Sequence, residues 1–318
     1  MTLCLVTGGG GFIGSHISRK LCAQGYQVRV FDNGSTGSKE RLEEAQDSIE
    51  WVDGDIRNFD QVSLAAKNAE VIYHFAAAAS VQQCISNPLE THSINVTGTA
   101  HVLQAAVENN VRRVIFASSS AVYGDAPISP KHEGMHPAPI SPYAVHKLAG
   151  EYYCSVWSRL YGLETVRLRY FNVFGPSQTP NGAYSAVIPK FIMATTLEQQ
   201  PILYGDGTQS RDFISIEDVT DINLLAAFSP NFSGQTINVG SGEAITLNQL
   251  IQYISAYWQK PILPILKPAR TGDIKESLAD ITLLRSLAPD LNLQSFQAGL
   301  EQTITWYRER AHNYYDVR

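Results

Sequence analysis

The chain opens on LVTGGGGFIGSHI, an apolar run (Leu3–Thr7) that breaks into glycines and resumes as a helical pattern at Phe12. Gly8, Gly11 and Gly14 stand three apart in it. A strand that passes through a glycine turn straight into a helix aims the helix's free first-turn N–H groups at the turn, and glycine lets a pyrophosphate approach that backbone. The triplet alone would also serve as a plain strand–helix turn, so its surroundings decide. Eighteen residues beyond Gly14, at the end of the next apolar run, stands Asp32. An acid there bonds both ribose hydroxyls of an adenosine and repels a 2′-phosphate, so the expected cofactor is NAD rather than NADP. The lesser reading of Asp32 is a cap on the Asn33-Gly34 turn. After the third run, DGDI (53–56) offers Asp55 and Ile56 to an adenine edge; after the fourth, HFAAAAS (74–80) offers small residues over which a cofactor can lie. His74 reads as a packed core histidine.

Short apolar runs alternate with helical patterns through the first half. Strands are expected at Leu3–Thr7, Val28–Phe31, Glu50–Val52, Val71–Phe75, Val114–Ser118 and Thr165–Tyr170, with helices at Phe12–Gln24, Gln61–Lys67, Pro88–Glu108 and Pro142–Leu160. Strand–helix alternation with continuously apolar strands predicts a doubly wound, Rossmann-like parallel sheet covered on both faces. Beyond Phe174 the pattern loosens. Helices are expected near Val187–Thr195, Glu217–Phe228, Leu247–Tyr257 and Phe296–Arg310, a strand at Thr236–Val239, and a turn and loop over YGDGTQSRDF (204–213). The predicted division is an NAD-binding domain of residues 1–172 plus about 212–240, interleaved with a smaller α/β substrate domain of about 173–211 plus 241–318.

Composition narrows the function. Net charge is −6 over 318 residues, which disfavours nucleic acid and membrane surfaces as partners. Four scattered cysteines without a CxxC spacing favour reduced thiols in a cytoplasmic protein and give zinc no support. The N-terminal apolar run breaks at Gly8 and lacks a basic leader, so no signal peptide is expected, and no run reaches the ~20 apolar residues of a membrane span.

The chemistry is expected where ASSSAVYGD (117–125) ends the fifth strand. Twenty-four residues after Ser119, SPYAVHK sets Tyr143 and Lys147 four apart, on one helical face, with Pro142 suited to the helix start. A phenol with a pKa of about 10 is a poor base at neutral pH. An ammonium one turn away and a cationic nicotinamide would both favour the phenolate, which could then take a sugar hydroxyl's proton as hydride leaves the same carbon. A serine across the site would bond that oxygen.

These motifs, with NVTGT (95–99), RYFNVFGP (169–176) and GDGTQSRDFISIEDV (205–219), give the chain a nearly end-to-end resemblance to the extended short-chain dehydrogenase/reductase family, and within it to the NAD-dependent nucleotide-sugar 4-epimerases. The resemblance implies Tyr143 as base, Lys147 holding the nicotinamide ribose and lowering the tyrosine pKa, and Ser119 bonding the sugar O4 with Ser120 in support. It extends the cofactor contacts to Phe12, Ile13, Asn33, Phe75, Ala76, Ala77, Asn95, Ser118 and Tyr170. For the UDP-sugar it implies Ser80, Asn172 on a phosphate or sugar oxygen, Val187 and Tyr204 about the uracil, Arg211 and Arg270 on the diphosphate, Asp273 on the uridine ribose, and Ser277 in the pocket wall.

Ala121 discriminates among reactions. Family members that eliminate water or carbon dioxide resemble one another in carrying a glutamate there; alanine favours reversible oxidation and re-reduction at C4. Serine at 277 leaves room for an N-acetyl group, where a bulky aromatic would not. Asn172 and Thr179 replace the threonine and arginine that grip a uronate. UDP-N-acetylglucosamine or UDP-glucose and their C4 isomers are therefore expected. The alternatives are a uronate epimerase, a net nucleotide-sugar reductase or dehydrogenase, and a catalytically silent NAD-binding regulator. The resemblance also implies a homodimer through a four-helix bundle built from the helices at 88–108 and 142–160.

Overall fold

The computed structural model describes residues 2–180, 186–269 and 275–310. Seven strands form one wholly parallel sheet: β1 (Leu3–Thr7), β2 (Gln27–Asp32), β3 (Ile49–Asp53), β4 (Val71–His74), β5 (Arg113–Ser119), β6 (Glu164–Tyr170) and, after three strands that lie elsewhere, β10 (Thr236–Val239). Their order is β3-β2-β1-β4-β5-β6-β10, so the chain reverses direction across the sheet between β1 and β4. Ligands in such sheets bind beyond the strands' C-terminal ends at that reversal.

Strand alternation divides the core. On β1, Cys4 and Val6 face one cluster and Leu5 the other; on β5, Ile115 and Ala117 oppose Val114 and Phe116. Helices α1 (Phe12–Ala23) and α8 (Ile216–Phe228) cover the first face; α2 (Phe59–Ala66), α5 (Gly98–Glu108) and α6 (Pro142–Tyr161) cover the second. Local signals set α6: Ser141 accepts the Ala144 N–H at 3.2 Å, Pro142 begins the helix, and Gly162 ends it in the left-handed region. Such an N-cap contributes about 1 kcal/mol. Arg113, buried at the other end of the sheet, donates to the carbonyls of Ala226, Ala227 and Ser229, closing the C-terminus of α8.

A smaller sheet of β7 (Asn172–Phe174), β9 (Ser210–Ser215), β11 (Ala244–Thr246) and β13 (Glu276–Ser277) packs with α7 (Val187–Thr196), α9 (Leu247–Trp258) and α11 (Phe296–Arg310) around Phe174, Phe213 and Phe296. Strands β8 (Ile202–Tyr204) and β12 (Ile265–Lys267) make a separate pair. Helix α10 (Thr282–Leu287) returns to the large sheet, where Leu284 joins its core.

Two stretches depart from the sequence reading. Within 204–213, expected as turn and loop, residues 205–209 are so, but Tyr204 ends β8 and residues 210–213 make most of β9. Asp212 hid the strand, because a carboxylate at a fully buried position contradicts an apolar pattern. It is satisfied by the N–H groups of Ser241, Gly242 and Ala279 and by the Ser241 hydroxyl. The helix expected over Pro88–Glu108 is α4 (Pro88–His92), a π turn at Ser93–Thr97, then α5. Short α3 (Val81–Ser86), capped by Ser80, precedes it.

Candidate active site

A cleft of about 740 Å³ runs across the C-terminal ends of β1 to β6. It gathers eighteen of the residues singled out by sequence: Gly8, Gly11, Phe12, Ile13 and Gly14 after β1; Asp32 and Asn33 after β2; Asp55 and Ile56 after β3; Phe75, Ala76, Ala77 and Ser80 after β4; Ser118 and Ser119 on β5; Tyr143 and Lys147 on α6; and Tyr170 on β6.

One end is built for an adenosine and a pyrophosphate. Gly8 has φ +71°, and a Cβ on it would stand 2.6 Å from the Ala76 nitrogen, so only glycine lets β1 turn beside the β4 loop. The Asp32 carboxylate accepts from Gly10 N–H and Gly34 N–H, both at 2.9 Å. It therefore caps the Asn33-Gly34 turn and also fixes the glycine turn while standing in the cleft wall. Arg57 grips Asp55 through Nε at 2.9 Å and Nη2 at 2.6 Å, and Asn33 adds a third donor at 3.0 Å, which together hold the Asp55 carboxyl well below the usual carboxylate range. A glycine cradle, a helix N-terminus and the carboxylates of Asp32 and Asp55 after β2 and β3 fit NAD. Asp32, Asp55 and the first turn of α1 would hold it.

The other end gathers the residues expected to carry the chemistry. Ser119 caps the 3₁₀ turn Ser120–Tyr123; its Oγ accepts the Ala121 N–H at 3.1 Å, leaving its own proton to donate. It shares the cleft wall with Tyr143, and its hydroxyl lowers the Tyr143 pKa, favouring the phenolate. Lys147, 6% exposed, donates to the Ala117 carbonyl at 2.7 Å, with Nζ 5.8 Å from the centre of the Tyr143 ring. The expected lowering of the phenol pKa by Lys147 is not met by the protein's own groups. Burial dominates, pushing Tyr143 up to about 12 and Lys147 down to about 8, and the Cys84 thiol adds to the rise at Tyr143.

Several expected residues take other places. Ser118 lines the cleft, but its hydroxyl donates to Glu151. Ser120 starts the 3₁₀ turn and does not line the cleft. Asn95, expected at the cofactor, lies in the π turn; its Oδ1 accepts from Ala78 N–H at 2.7 Å and its Nδ2 donates to Ala78 O at 3.0 Å, so it clamps the β4 loop from behind. His74 is the core histidine expected. Thr99 Oγ1, already donating to Asn95 O, accepts from Nε2, and Nδ1 accepts from Thr7; burial pushes its pKa down to about 3.

Of the residues expected at the UDP-sugar, Ser80 lines this cleft, whereas Asn172, Val187, Tyr204, Arg211 and Ser277 do not. Asn172, Arg211 and Ser277 stand on adjacent strands of the small sheet, Ser277 in register with Arg211 and Asn172 with Phe213. Partners in register project to one face, so the three share a side. The Asn172 amide donates to the Asp212 carbonyl at 3.0 Å. Val187 opens α7 and Tyr204 ends β8. Arg270 and Asp273 lie outside the described residues.

The sequence reading missed Arg41, Arg57, Phe171, Gln178 and Glu151. Arg57 was signalled by its place two residues after Asp55, and Glu151 by its place one helical turn after Lys147. Among the described residues there is no helix long and apolar enough to cross a membrane and no cluster of potential metal ligands.

The family described as NAD dependent epimerase/dehydratase matches residues 4–240. The chain is 35% identical to a UDP-glucose 4-epimerase of Mycolicibacterium smegmatis, over 96% of this chain and 99% of the other. It superposes, with a TM-score of 0.93 and 39% identity over 97% of this chain and 99% of the other, on a UDP-N-acetylglucosamine 4-epimerase from Methanobrevibacter ruminantium solved with UDP-N-acetylmuramic acid. A Thermus thermophilus UDP-glucose 4-epimerase solved with NAD aligns at a TM-score of 0.87 and 34% identity, over 96% of this chain and 99% of the other.

Proposed function

The chain belongs to the NAD dependent epimerase/dehydratase family, and from that premise we propose that it inverts C4 of a neutral UDP-hexose through a transient 4-keto sugar. It is an NAD-dependent isomerase acting on UDP-sugars. The pairs we assign are UDP-N-acetylglucosamine with UDP-N-acetylgalactosamine and UDP-glucose with UDP-galactose.

NAD held by Asp32, Asp55 and the first turn of α1 would supply the acceptor and later the donor of hydride. Tyr143 takes the proton of the C4 hydroxyl and later returns it. Ser119 donates to the same oxygen, and Lys147 keeps positive charge one turn from the phenol. The observation that carries the reading is the turn facing this pair: at Ala121 it offers only a methyl and an N–H already bonded to Ser119. The turn thus supplies no acid for expelling a leaving group, and the proton-transfer pair suits oxidation and reduction at one carbon. Ser277, a small hydroxyl beside Arg211, is compatible with an N-acetyl substituent. Asn172, Arg211, Arg270, Asp273, Val187, Tyr204 and Ser80 are the proposed nucleotide-sugar contacts.

The same reading includes a homodimer. Val145, Tyr152, Val156 and Leu160, spaced to share one side of α6, are 45–65% exposed, and Leu89 on the neighbouring α4 is 86% exposed. A second copy's helices would bury this apolar stripe. Four free cysteines suit a reducing cytoplasm.

The test is to incubate the purified protein, without added NAD, with UDP-glucose, UDP-N-acetylglucosamine and UDP-glucuronate separately, and to follow the C4 isomer by NMR. Conversion of the neutral sugars is expected. Conversion of the glucuronate alone overturns the substrate assignment, and a dependence on stoichiometric added NAD indicates a dehydrogenase.

A further inference from the structure

Helix α6 carries a third polar residue on its catalytic face. Tyr143, Lys147 and Glu151 are spaced one turn apart along α6 facing the end of β5: Tyr143 shares the cleft wall with Ser119, Lys147 bonds the Ala117 carbonyl, and Glu151 accepts from the Ser118 hydroxyl at 2.5 Å. Glu151 is 4% exposed and is gripped by Arg169 through Nε at 2.8 Å and Nη2 at 2.7 Å. Arg169 stands on β6 directly opposite Ser118, and Asn238 on β10 directly opposite Arg169. The guanidinium carbon lies 4.8 Å from the centre of the Tyr123 ring, whose hydroxyl donates to Asn238 Oδ1 at 2.6 Å.

Tyr123 closes the 3₁₀ turn that Ser119 opens. Both ends of that turn are therefore tied to Arg169, one through Ser118 and Glu151, the other through Tyr123. None of Glu151, Arg169, Tyr123 or Asn238 lines the cleft, so none touches the reacting atoms. The Ala121 N–H fixes one lone pair of the Ser119 oxygen, so the position of the turn sets where the hydroxyl can point.

We propose that the buried Glu151–Arg169 pair, clamped on Tyr123, is a positioning unit: it holds the turn so that Ser119 donates toward Tyr143, and it sets the rotation of α6 against β5. This rests on the proton-transfer roles given to Ser119 and Tyr143 above. A buried ion pair contributes little net stability relative to an apolar pair of similar volume, whereas removing one partner leaves a costly unpaired charge. Replacing both together therefore separates positioning from folding.

The experiment uses the NAD-loaded protein and the double variant Glu151→Met/Arg169→Met. The thermal midpoint should stay within a few degrees of wild type. Turnover should fall at least about tenfold, as a displaced reacting group requires, with KM within about threefold. The Tyr143 phenol, followed as the 295 nm absorbance difference from Tyr143→Phe, should titrate at higher pH once the Ser119 hydroxyl is displaced from it. The groups facing that phenol, Lys147 on its own helix and Cys84 on α3, are unchanged in the variant. Wild-type turnover with an unmoved titration would show the pair to be packing only. Should the double variant not fold, Tyr123→Phe keeps the ring under the guanidinium and removes only the bond to Asn238; a fall of about threefold in kcat with KM unchanged supports the unit, and wild-type kcat overturns it. The titration needs no sugar, so it decides the positioning even if no UDP-hexose proves to be a substrate.

Discussion

The cleft wall that carries the chemistry and the small-sheet face that we assign to the sugar nucleotide are built differently. The first joins long parallel strands to a twenty-residue helix, and its polar groups satisfy one another: Lys147 on a carbonyl, Ser118 on Glu151, Glu151 on Arg169. The second rests on strands of two to six residues and leaves Asn172, Arg211 and Ser277 partly exposed. Rigid, mutually bonded groups suit a site that must hold a proton donor within a few tenths of an ångström. Partly solvated groups suit binding, since a ligand can reach them without displacing a buried network. The comparison implies that damage to the first region slows turnover, while damage to the second weakens affinity.

The largest effect should come from Tyr143→Phe, which keeps the ring and deletes the base. Turnover should drop about 10³-fold, with KM changed by less than about threefold. An initial-rate assay of C4 inversion checks this. A KM rise with intact kcat would mean that the phenol only binds, and the contrast between the two regions would collapse.

On the other side, Arg211→Ala should raise KM for a UDP-hexose about thirtyfold while lowering kcat less than about threefold, since a guanidinium–phosphate contact is made in ground and transition states alike. A loss confined to kcat would move Arg211 into the chemical region. Ser277→Tyr sharpens the same test. Bulk placed beside Arg211 should cut kcat/KM for UDP-N-acetylglucosamine about tenfold and leave UDP-glucose nearly unchanged. An equal loss on both sugars would remove Ser277 from the pocket wall.

The two regions also differ in how far they could be read from sequence. The parallel sheet was legible because buried strands read as unbroken apolar runs and their helices carry a regular period; β1 and β10 fall where expected. The adenosine end was legible because glycines and a strand-end acid lie close in sequence. Strand β9 was not, since Asp212 is stabilised by donors from residues 241, 242 and 279, which no local pattern reveals. The surroundings of Asn95 were hidden for a related reason: its motif marked the position, but only the fold shows its amide bonded to Ala78. At Tyr143 the neighbouring lysine is visible in the sequence, whereas the burial that raises the phenol's pKa is visible only in the fold.

The smallest expected effect concerns the contact between the cofactor helix and the loop that follows β7. His16, on α1, donates from Nε2 to the Pro176 carbonyl at 3.0 Å and lies 3.2 Å from the Ser177 hydroxyl, while Nδ1 accepts from Arg19 at 3.2 Å. Burial, helped by the Arg19 charge, pushes its pKa down to about 4 from an ordinary 6.5. On acidification below 6.5 the unfolded chain therefore takes up a proton at this histidine that the folded chain refuses until near pH 4. Stability must fall as pH falls through that window. From pH 6.5 to 5.5 the loss for this one group is about 1 kcal/mol, and His74, pushed down to about 3, adds a parallel share. In His16→Gln the amide can still donate to Pro176 but does not titrate, so urea unfolding at the two pH values should show a loss about 1 kcal/mol smaller than in wild type. Equal losses in the two proteins would mean that His16 protonates freely in the folded state, and that the join between the regions is looser than its hydrogen bonds imply.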